Sequence, residues 1–429
     1  MYSQYLSDAK IQSFIGDEAF VKQMIRVEIA LAKVQAKQGL IPKWAAKEIA
    51  EKLKDFSPSP GALAVGTLQN GIPTIPLLAL ARKELTEASQ DYLHWGATSQ
   101  DIMDTATVLM IKEVLVVFEK RLLKIIKTLK ALAEKQAQTF MVARTRTQQA
   151  ISISFGLKVN NWLQPLERHL ERLNEMKPRL LVVQFGGAAG NLAALGNQGW
   201  ETAQRLAKAL NLHFAGVWHT QRDNMAAFSN WLALLAGSFG KMAQDILLLS
   251  QTEVGEVLEN GGGGGKSSTM PHKNNPVLSE AIVALSRFTG QLAGNNLQAM
   301  IHNHERDASA WILEWLALPQ MINATGTILN HALTISENIQ VNKKAMQANW
   351  EKQNGLIFSE QATFILQAHI SRKKAKAKVE TACQMVLEQD IHLTTALTHL
   401  FPELSINWQE KLQAKNYQGS TKDILKKKQ

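Results

Sequence analysis

The sequence predicts an all-α protein, and three observations support this fold class. The chain has only 11 prolines in 429 residues, and residues 77–164, 179–270 and 320–401 contain none. Because proline disrupts the interior of a helix, such tracts permit long helices. The second observation is a helical stripe of apolar residues between Thr107 and Gln138. The third is that strand-type alternation of apolar and polar residues is not evident in the chain.

The N-terminal part, to about Ala88, is expected to contain short helices. Turn and breaker signals interrupt it at Pro42, at Ser57-Pro-Ser-Pro60, at Asn70-Gly71, and at Pro73 and Pro76. Prolines and such turn dipeptides end helices or connect them. Residues 1–100 are therefore predicted to form a first helical domain.

The central part carries the clearest helical periodicity. Apolar residues recur there at alternating spacings of four and three, at Ile111, Leu115, Phe118, Leu122, Ile125, Leu129 and Leu132. A helix over this stretch would be about 50 Å long, which is typical of a bundle. Similar patterns predict helices within 156–173, 199–210, 225–251 and 276–300. Such stripes exceed what one neighbour covers, so subunits are expected to associate through helix faces.

These boundaries predict a central long-helix bundle over residues 101–340. The helical pattern stops near Ala317-Leu-Pro319 and restarts at about Val341. Residues 341–429 are therefore predicted to form a small C-terminal helical domain.

Composition excludes several classes of protein. Cys383 is the only cysteine, so an intrachain disulfide framework and a multi-cysteine metal site are excluded. No uncharged apolar run reaches the roughly 18 residues of a membrane span. The first ten residues also lack the apolar core of a signal peptide. A cytoplasmic, soluble protein without a membrane partner is expected.

The net charge of +10 is concentrated at the C-terminal end. Residues 341–429 contain 14 basic and 8 acidic side chains, so +6 of the excess lies there. The simplest interpretation is a solvated helix face and a basic tail. Nucleic-acid binding would also require a recognisable module, and the sequence shows none. A positive field does suit a small polyanionic substrate.

Three polar segments between the predicted helices carry the candidate chemistry. They are residues 94–101, 144–156 and 260–276. In the first, Thr98, Ser99 and Asp101 suit the capping of a helix or the binding of a carboxylate. In the second, Arg144 and Arg146 are either surface arginines or bidentate carboxylate ligands.

The third segment is the most unusual. Asn260 is followed by five glycines and then by Lys266-Ser-Ser-Thr-Met-Pro-His-Lys-Asn-Asn-Pro276. Ordering five glycines costs much conformational entropy, so the run is either a flexible linker or a mobile lid. A helix is predicted after Pro276, and its N-terminus with stacked N–H groups favours an anion. A lid that closes over an anionic substrate is the more specific of the two interpretations.

Together the three segments resemble the signature regions of the fumarase/aspartase superfamily, over nearly the whole chain and in the expected order. The most specific parts are Thr145–Gln148 and Ser267–Pro276, the latter similar to the superfamily's SSxMPxKxNP loop. Residues His94–Asp101 resemble both adenylosuccinate lyases and 3-carboxy-cis,cis-muconate cycloisomerases. Gln184–Ala193 and Trp218–Asp223 look closer to the cycloisomerase family.

The resemblance implies an enzyme of aromatic (protocatechuate) degradation that needs no metal or organic cofactor. The expected reaction closes a small tricarboxylate, 3-carboxy-cis,cis-muconate, to a lactone through an enediolate-type carbanion. The superfamily also implies a homotetramer whose active sites each draw on three subunits.

The implied roles follow by matching positions. Ser267 is the expected proton carrier, with Lys273 and Asn275 binding the carboxylate that becomes the enediolate. Positive charge from Lys273, loop N–H groups and Lys266 is expected to tune the serine. Arg146 and Arg306 are expected to bind the third carboxylate. The remaining implied substrate contacts are His94, Thr98, Ser99, Thr145, Gln148 and Gln221.

Two departures from the superfamily pattern bear on the reaction. The lyases for adenylosuccinate and argininosuccinate usually carry a proton-transferring histidine where this chain has Arg146. A guanidinium stays protonated, so it pairs with a carboxylate rather than shuttling a proton. Glu280, which in the lyases would pair with that histidine, is expected to pair with Arg146. Lys266 replaces the usual glycine.

Two alternatives remain open. One is an adenylosuccinate lyase-like β-elimination, which needs a proton donor at the position of Arg146 or a substitute for it. The other is a non-catalytic helical scaffold that has kept the fold, against which Ser267, Lys273 and Asn275 weigh. The roles of His94 and His272 in proton transfer are also open.

Overall fold

The computed structural model describes residues 2–259 and 265–426, and this part of the chain is mainly helical. The helices, in chain order, are α1 (Ser3–Leu6), α2 (Ala9–Ile15), α3 (Asp17–Gln38), α4 (Lys43–Leu53), α5 (Pro60–Asn70), α6 (Thr74–Lys83), α7 (Glu87–Gln90), α8 (Ser99–Lys135), α9 (Phe155–Leu180), α10 (Gly199–Leu210), α11 (Asp223–Leu249), α12 (Val277–Gln298), α13 (Ala308–Asn338), α14 (Lys343–Glu351), α15 (Ser359–Leu366), α16 (Arg372–Gln389), α17 (Leu393–Leu400), α18 (Trp408–Lys411) and α19 (Thr421–Lys426). Short 3-10 turns lie at Ala193–Gln198, Leu356–Phe358 and Ala414–Asn416. The all-α prediction is confirmed.

The long helices agree with the predicted periodicity. The stripe along α8 is buried at Ile111, Phe118, Leu122 and Ile125, so the apolar spacing does mark the core face. The pattern was expected to stop near Pro319, but α13 continues through that residue. A proline removes one intrahelical hydrogen bond, and the buried apolar residues on both sides keep this helix together.

Two small antiparallel pairs of strands depart from the helical pattern. Strands β1 (Phe140–Thr145) and β2 (Gln148–Ser154) form a hairpin, and β3 (Val257–Leu258) pairs with β4 (Gln340–Val341). The hairpin was not predicted, because its most buried face in β2 carries serines rather than apolar residues. Ser152 and Ser154 are buried there.

The described chain divides into two compact units. The first comprises residues 1–122, 168–237 and 284–330, and the second comprises 123–167, 238–283 and 331–429. The first has a core of apolar side chains from α3, α4, α6, α8 and α10. The second has a core built mainly from α15, α16 and α17. The division into three domains, 1–100, 101–340 and 341–429, stays a prediction.

Helix α11 is long and apolar enough to be compared with a membrane span. Its most apolar 18-residue window has a mean hydropathy of 1.4, and 44% of that window is buried within the protein. Phe228, Trp231, Leu235 and Phe239 are among the buried residues. One buried face of this kind is typical of a core helix.

Candidate active site

In the first unit, the start of α8 is fixed by Asp101, whose side chain is fully buried. Asp101 Oδ2 accepts a hydrogen bond from Thr98 N at 3.0 Å, which caps the helix. The same carboxylate accepts from the main-chain N–H groups of Gly186 at 2.8 Å and Gly187 at 2.9 Å. Its Oδ1 also lies 2.8 Å from His219 Nε2. The capping role expected of Asp101 is therefore present, and the residue is committed to internal contacts.

Gly186 and Gly187 allow the main chain to come close enough to the Asp101 carboxylate for these hydrogen bonds. A Cβ on Gly186 would lie 2.5 Å from Val217 Cγ1 and 3.0 Å from His219 Cε1. Gly187 has a φ of +68°, a left-handed conformation that favours glycine. These residues therefore explain part of the Gln184–Ala193 motif by packing.

Two predicted substrate contacts of the first unit, Thr98 and Arg306, lie together. Arg306 Nη1 donates to Thr98 Oγ1 at 2.7 Å, and its Nε donates to Gln100 Oε1 at 3.2 Å. The segment that carries Arg306 is ordered by Asp307. Hydrogen bonds from the Ser309 hydroxyl and from nearby main-chain N–H groups hold the pKa of Asp307 well below its usual range. Sequence reasoning had not singled out Gln100 or Asp307.

Two further candidates of this unit have fewer contacts. Ser99 is the first residue of α8 and is half-buried. Gln221 is exposed, and its amide donates to the main-chain oxygen of Val217 at 3.2 Å. Their contacts with substrate stay predictions.

His94 is held by a buried acid that the sequence analysis missed. Its Nδ1 lies 2.6 Å from Glu28 Oε1, and the Glu28 side chain is only 1% exposed. Burial alone would lower the pKa of His94, but the charge and hydrogen bond of Glu28 outweigh it and raise that pKa. The pairing favours an imidazolium. Because the partner lies 66 residues earlier in the chain, local sequence carries no signal for it.

In the second unit, Arg144 is unavailable to a ligand. Its guanidinium forms a bidentate pair with Glu256, with Nη1 2.9 Å from Oε2 and Nη2 2.7 Å from Oε1. Glu256 is fully buried and also accepts from Asn349 Nδ2 at 2.9 Å. Of the two interpretations left open for Arg144, a surface arginine or a bidentate carboxylate ligand, the structure shows the second, and the carboxylate is the internal one of Glu256.

The tip of the hairpin brings three candidates together. Thr145 and Gln148 are paired at the ends of β1 and β2, and Arg146 lies in the two-residue turn between them. All three are exposed. Arg146 and Thr147 have φ values of +52° and +69°, which such hairpin turns require and which usually select Asn and Gly. This strained turn projects Arg146 from the end of a rigid element.

Ser267 lies on the loop before α12 with a defined hydrogen-bond environment. Its Oγ accepts from Thr269 N at 3.3 Å and from Met270 N at 3.1 Å. Two N–H donors stabilise negative charge on the oxygen and so favour loss of the hydroxyl proton. The loop is closed by Ser267 N, which donates to Lys273 O at 3.2 Å, and by Asn275 N, which donates to Gly265 O at 2.8 Å.

The other candidates of this loop surround the serine in sequence. Lys273 is exposed and Asn275 is half-buried. Lys266, the departure from the superfamily pattern, is exposed and forms an isolated bridge with Asn274. Lys266 is therefore compatible with a closed loop. Residues 260–264, which include most of the predicted glycine lid, lie outside the described residues.

The N-terminus of α12 is already occupied. Glu259 Oε1 accepts from Leu278 N at 2.8 Å, and Oε2 accepts from Ser279 N at 2.8 Å and from the Ser279 hydroxyl at 2.5 Å. The anion that this helix N-terminus was expected to favour is therefore the internal carboxylate of Glu259. The carboxylate of Glu259 instead joins the two ends of the loop that carries Ser267.

Glu280 is exposed on the first turn of α12. Within residues 2–259 and 265–426, no ion pair of 4.0 Å or less joins it to Arg146. Their pairing stays a prediction.

Cationic side chains that suit anionic organic ligands occur in each of the two units. No group of three or more His, Cys, Asp or Glu side chains in the described part of the chain is placed to hold a metal ion. Arg146, Arg306 and Lys273 instead offer cationic donors without a carboxylate partner among the described residues. Such groups bind carboxylates, and the serine adds a proton-transfer group.

Comparison with known proteins is consistent with this chemistry. The sequence model of a lyase family matches residues 3–290. A 3-carboxy-cis,cis-muconate cycloisomerase of Bradyrhizobium diazoefficiens is 38% identical, over 93% of this chain and 91% of that protein. Trans-aconitate decarboxylase 1 of Mycosarcoma maydis is 38% identical, over 92% and 80% of the two chains. The crystal structure of 3-carboxy-cis,cis-muconate lactonizing enzyme from Pseudomonas putida superposes with a TM-score of 0.92 and 34% identity, covering 99% of this chain and 97% of that one.

Proposed function

Since the chain belongs to the fumarase/aspartase superfamily of lyases, we propose that it is a cycloisomerase that converts 3-carboxy-cis,cis-muconate to carboxymuconolactone. The substrate's own carboxylate adds to the activated double bond, an enediolate-type carbanion forms, and protonation of the α-carbon completes the addition. The enzyme would act in aromatic degradation as a homotetramer with active sites shared among three subunits.

The observation that carries the proposal is the environment of the Ser267 hydroxyl. A serine is a weak acid and a weak base unless its surroundings stabilise the charged form. Two main-chain N–H groups point at Ser267 Oγ, and Lys273 follows on the same closed loop. Ser267 therefore donates the proton in the lactonising direction and accepts it in the lactone-opening direction.

The carbanion is the costly species, because it adds charge to an existing carboxylate. Lys273 and Asn275 bind that carboxylate, and fixed donors of this kind act without reorganisation during the reaction. Losing one such donor typically costs about 2.7–4 kcal/mol of transition-state stabilisation. Arg146 and Arg306 hold the third carboxylate. Folding of the substrate into a near-attack shape supplies the rest, because the nucleophile is already attached.

A second candidate is decarboxylation of an unsaturated tricarboxylate, and the similarity to the trans-aconitate decarboxylase favours it. Trans-aconitate and 3-carboxy-cis,cis-muconate both present three carboxylates, so the same cationic residues suit either compound. Adenylosuccinate lyase-like elimination is less favoured, since Arg146 replaces the proton-transferring histidine.

A substrate panel tests the proposal. Purified protein is assayed by absorbance with 3-carboxy-cis,cis-muconate, adenylosuccinate and trans-aconitate, with released carbon dioxide measured for the last. We expect turnover of the muconate, and Ser267→Ala is expected to reduce kcat by at least about a hundredfold while the melting temperature stays the same.

The neighbouring Ser268→Ala is the matched control, because Ser268 is exposed on the same loop. It is expected to keep nearly full activity. Turnover of adenylosuccinate or trans-aconitate without turnover of the muconate would replace the proposal with the corresponding alternative. An unchanged rate in Ser267→Ala would remove Ser267 from the mechanism, and no turnover of any compound would favour a non-catalytic scaffold.

A further inference from the structure

We propose that Gln100 is a positioning residue that aims the guanidinium of Arg306 at a substrate carboxylate while leaving its charge uncompensated. Gln100 is the second residue of α8 and is only 2% exposed. It belongs to the same compact unit as Arg306. The inference rests on the proposed function only in taking Arg306 as a carboxylate ligand.

The orientation of the Gln100 amide follows from its partners. Its Nε2 donates to Asp104 Oδ2 at 3.1 Å and to the main-chain oxygen of His219 at 2.9 Å. Both partners are acceptors, so both hydrogens of the amide are used on that side. The carbonyl oxygen must then face the other way, where Arg306 Nε donates to it. A flipped amide would place two acceptors in contact.

A buried ionic cluster holds the acceptor that fixes this amide. Asp104 receives two hydrogen bonds from Arg222, at 2.7 and 3.1 Å, and one from Trp311 Nε1 at 3.1 Å. Arg222 also pairs with Glu314. Burial opposes the charge of Arg222, but Asp104 and Glu314 outweigh it and raise the pKa of the guanidinium. Burial raises the pKa of Glu314, and Arg222 acts against that shift. Such a cluster cannot shift without leaving a buried charge unpaired.

The partners of Arg306 are neutral, and this determines what it can bind. Thr98 Oγ1 and Gln100 Oε1 orient the guanidinium, and none of the ion pairs of 4.0 Å or less among the described residues involves Arg306. Two of the five N–H groups are used, so others remain for a ligand. A carboxylate at either supporting position would neutralise the charge. The neutral oxygens of Thr98 and Gln100 instead fix the direction of the Arg306 guanidinium and leave its positive charge available for an anion.

Binding measurements test the inference without requiring turnover. Affinity for propane-1,2,3-tricarboxylate and for succinate is measured by calorimetry on the full-length protein. We expect Gln100→Met to weaken tricarboxylate binding about tenfold, because a hydrogen bond to a charged group is lost. In the Arg306→Met background the same change should alter affinity less than about twofold, since positioning acts only through Arg306. Turnover should show a raised KM with kcat within about threefold.

Gln361→Met is the matched control, because Gln361 is also buried and donates to a main-chain oxygen, that of Lys411, at 2.8 Å. It should leave tricarboxylate affinity unchanged. If Gln100→Met does not fold, Gln100→Asn keeps an amide but withdraws it from Arg306, and the same loss is expected. Equal binding by wild type and a folded Gln100 variant, or an equal loss in the Arg306→Met background, would overturn the inference.

The outcomes also separate this inference from the proposed function. Gln100-dependent tricarboxylate binding without turnover of the muconate would reject the cycloisomerase and keep the inference. Turnover of the muconate with a KM that Gln100→Met does not change would keep the cycloisomerase and reject the inference. A wild-type protein that binds no tricarboxylate would overturn both.

Discussion

At the scale of single residues, cationic side chains that look alike in the sequence differ in whether a carboxylate of the protein neutralises them. Arg144 and Arg146 are two positions apart, yet Arg144 is neutralised by the buried Glu256 while Arg146 is exposed at the hairpin tip. Arg306 is oriented by neutral oxygens instead. Local sequence cannot distinguish these cases, because the deciding carboxylate lies 112 residues away from Arg144. The candidate site is therefore defined by which charges the fold leaves uncompensated.

The first prediction concerns the Arg144–Glu256 pair. Arg144→Met removes the guanidinium and leaves the buried carboxylate of Glu256 with the Asn349 amide as its remaining side-chain hydrogen-bond donor among the described residues. Removing one partner of a buried pair costs roughly 3–5 kcal/mol, and Arg144 is partly exposed, so we expect about 3 kcal/mol. Thermal unfolding measures this as a melting temperature lowered by several degrees. Glu256→Gln added to Arg144→Met should recover part of the loss, and no recovery would contradict a cost that arises from the unpaired charge.

The second prediction concerns the charge of His94. Because the folded pKa is raised above the ordinary value of about 6.5, the His94–Glu28 pair stabilises the protein fully below pH 6.5. That stability is lost as the pH rises through the raised, folded-state pKa. His94→Asn, which suits the positive φ of this position, should therefore differ from wild type most at pH 5.5. The difference in melting temperature should shrink towards pH 8.5.

A matched variant at the partner checks the same linkage. Glu28→Gln should flatten the pH dependence of wild type in the same way, since it removes the charge that raises the pKa of His94. A His94→Asn difference that is constant with pH would show that folding does not shift the pKa of His94, and a difference that grows with pH would show that this pKa is lowered in the folded protein.

At the scale of elements, the sequence predicted helices well and missed features made by tertiary contact. The helix at Gly199–Leu210 was located to the residue, because a periodic apolar face with a clear start defines it. The hairpin was missed, since its buried positions in β2 are serines. The anion expected at the start of α12 is an internal one, because the carboxylate of Glu259 caps that helix. Periodicity reports burial, whereas caps and ion pairs depend on distant partners.

The third prediction concerns the strained hairpin turn. Thr147 adopts a φ of +69°, which costs a β-branched residue about 1–2 kcal/mol. Thr147→Gly removes that strain and adds the entropy cost of glycine, so we expect a net stabilisation of roughly 0.5–1 kcal/mol. Thermal unfolding should show a slightly higher melting temperature. Ala150→Gly, in the extended strand β2, is the control and should lower it.

At the scale of the whole molecule, the single chain leaves many apolar side chains of its long helices exposed. Large exposed examples are Val116, Leu123, Leu234, Leu248, Leu297, Ile312 and Leu316. Val116 and Leu123 are seven residues apart on α8, and Ile312 and Leu316 are four apart on α13, so each pair shares a helix face that a neighbouring subunit can cover. They support the proposed homotetramer, which sedimentation tests directly. A fully active monomer would contradict it.

The last prediction follows if each active site draws on three subunits. Ser267→Ala and Arg306→Met are each expected to be nearly inactive alone. When the two proteins are mixed, dissociated and reassembled, some sites combine an intact Ser267 from one chain with an intact Arg306 from another. Random assembly of tetramers places both intact residues in about a quarter of the sites. The mixture should therefore regain up to about a quarter of the wild-type kcat.

The control for this recovery uses two changes on one loop. Ser267→Ala and Lys273→Met lie on the same closed loop, so both residues of a site come from the same chain and a mixture of these variants should stay inactive. Native mass spectrometry verifies that hybrid tetramers have formed in both mixtures. Hybrids of Ser267→Ala and Arg306→Met without recovered activity would mean that one chain supplies both residues, because random assembly would otherwise unite intact copies.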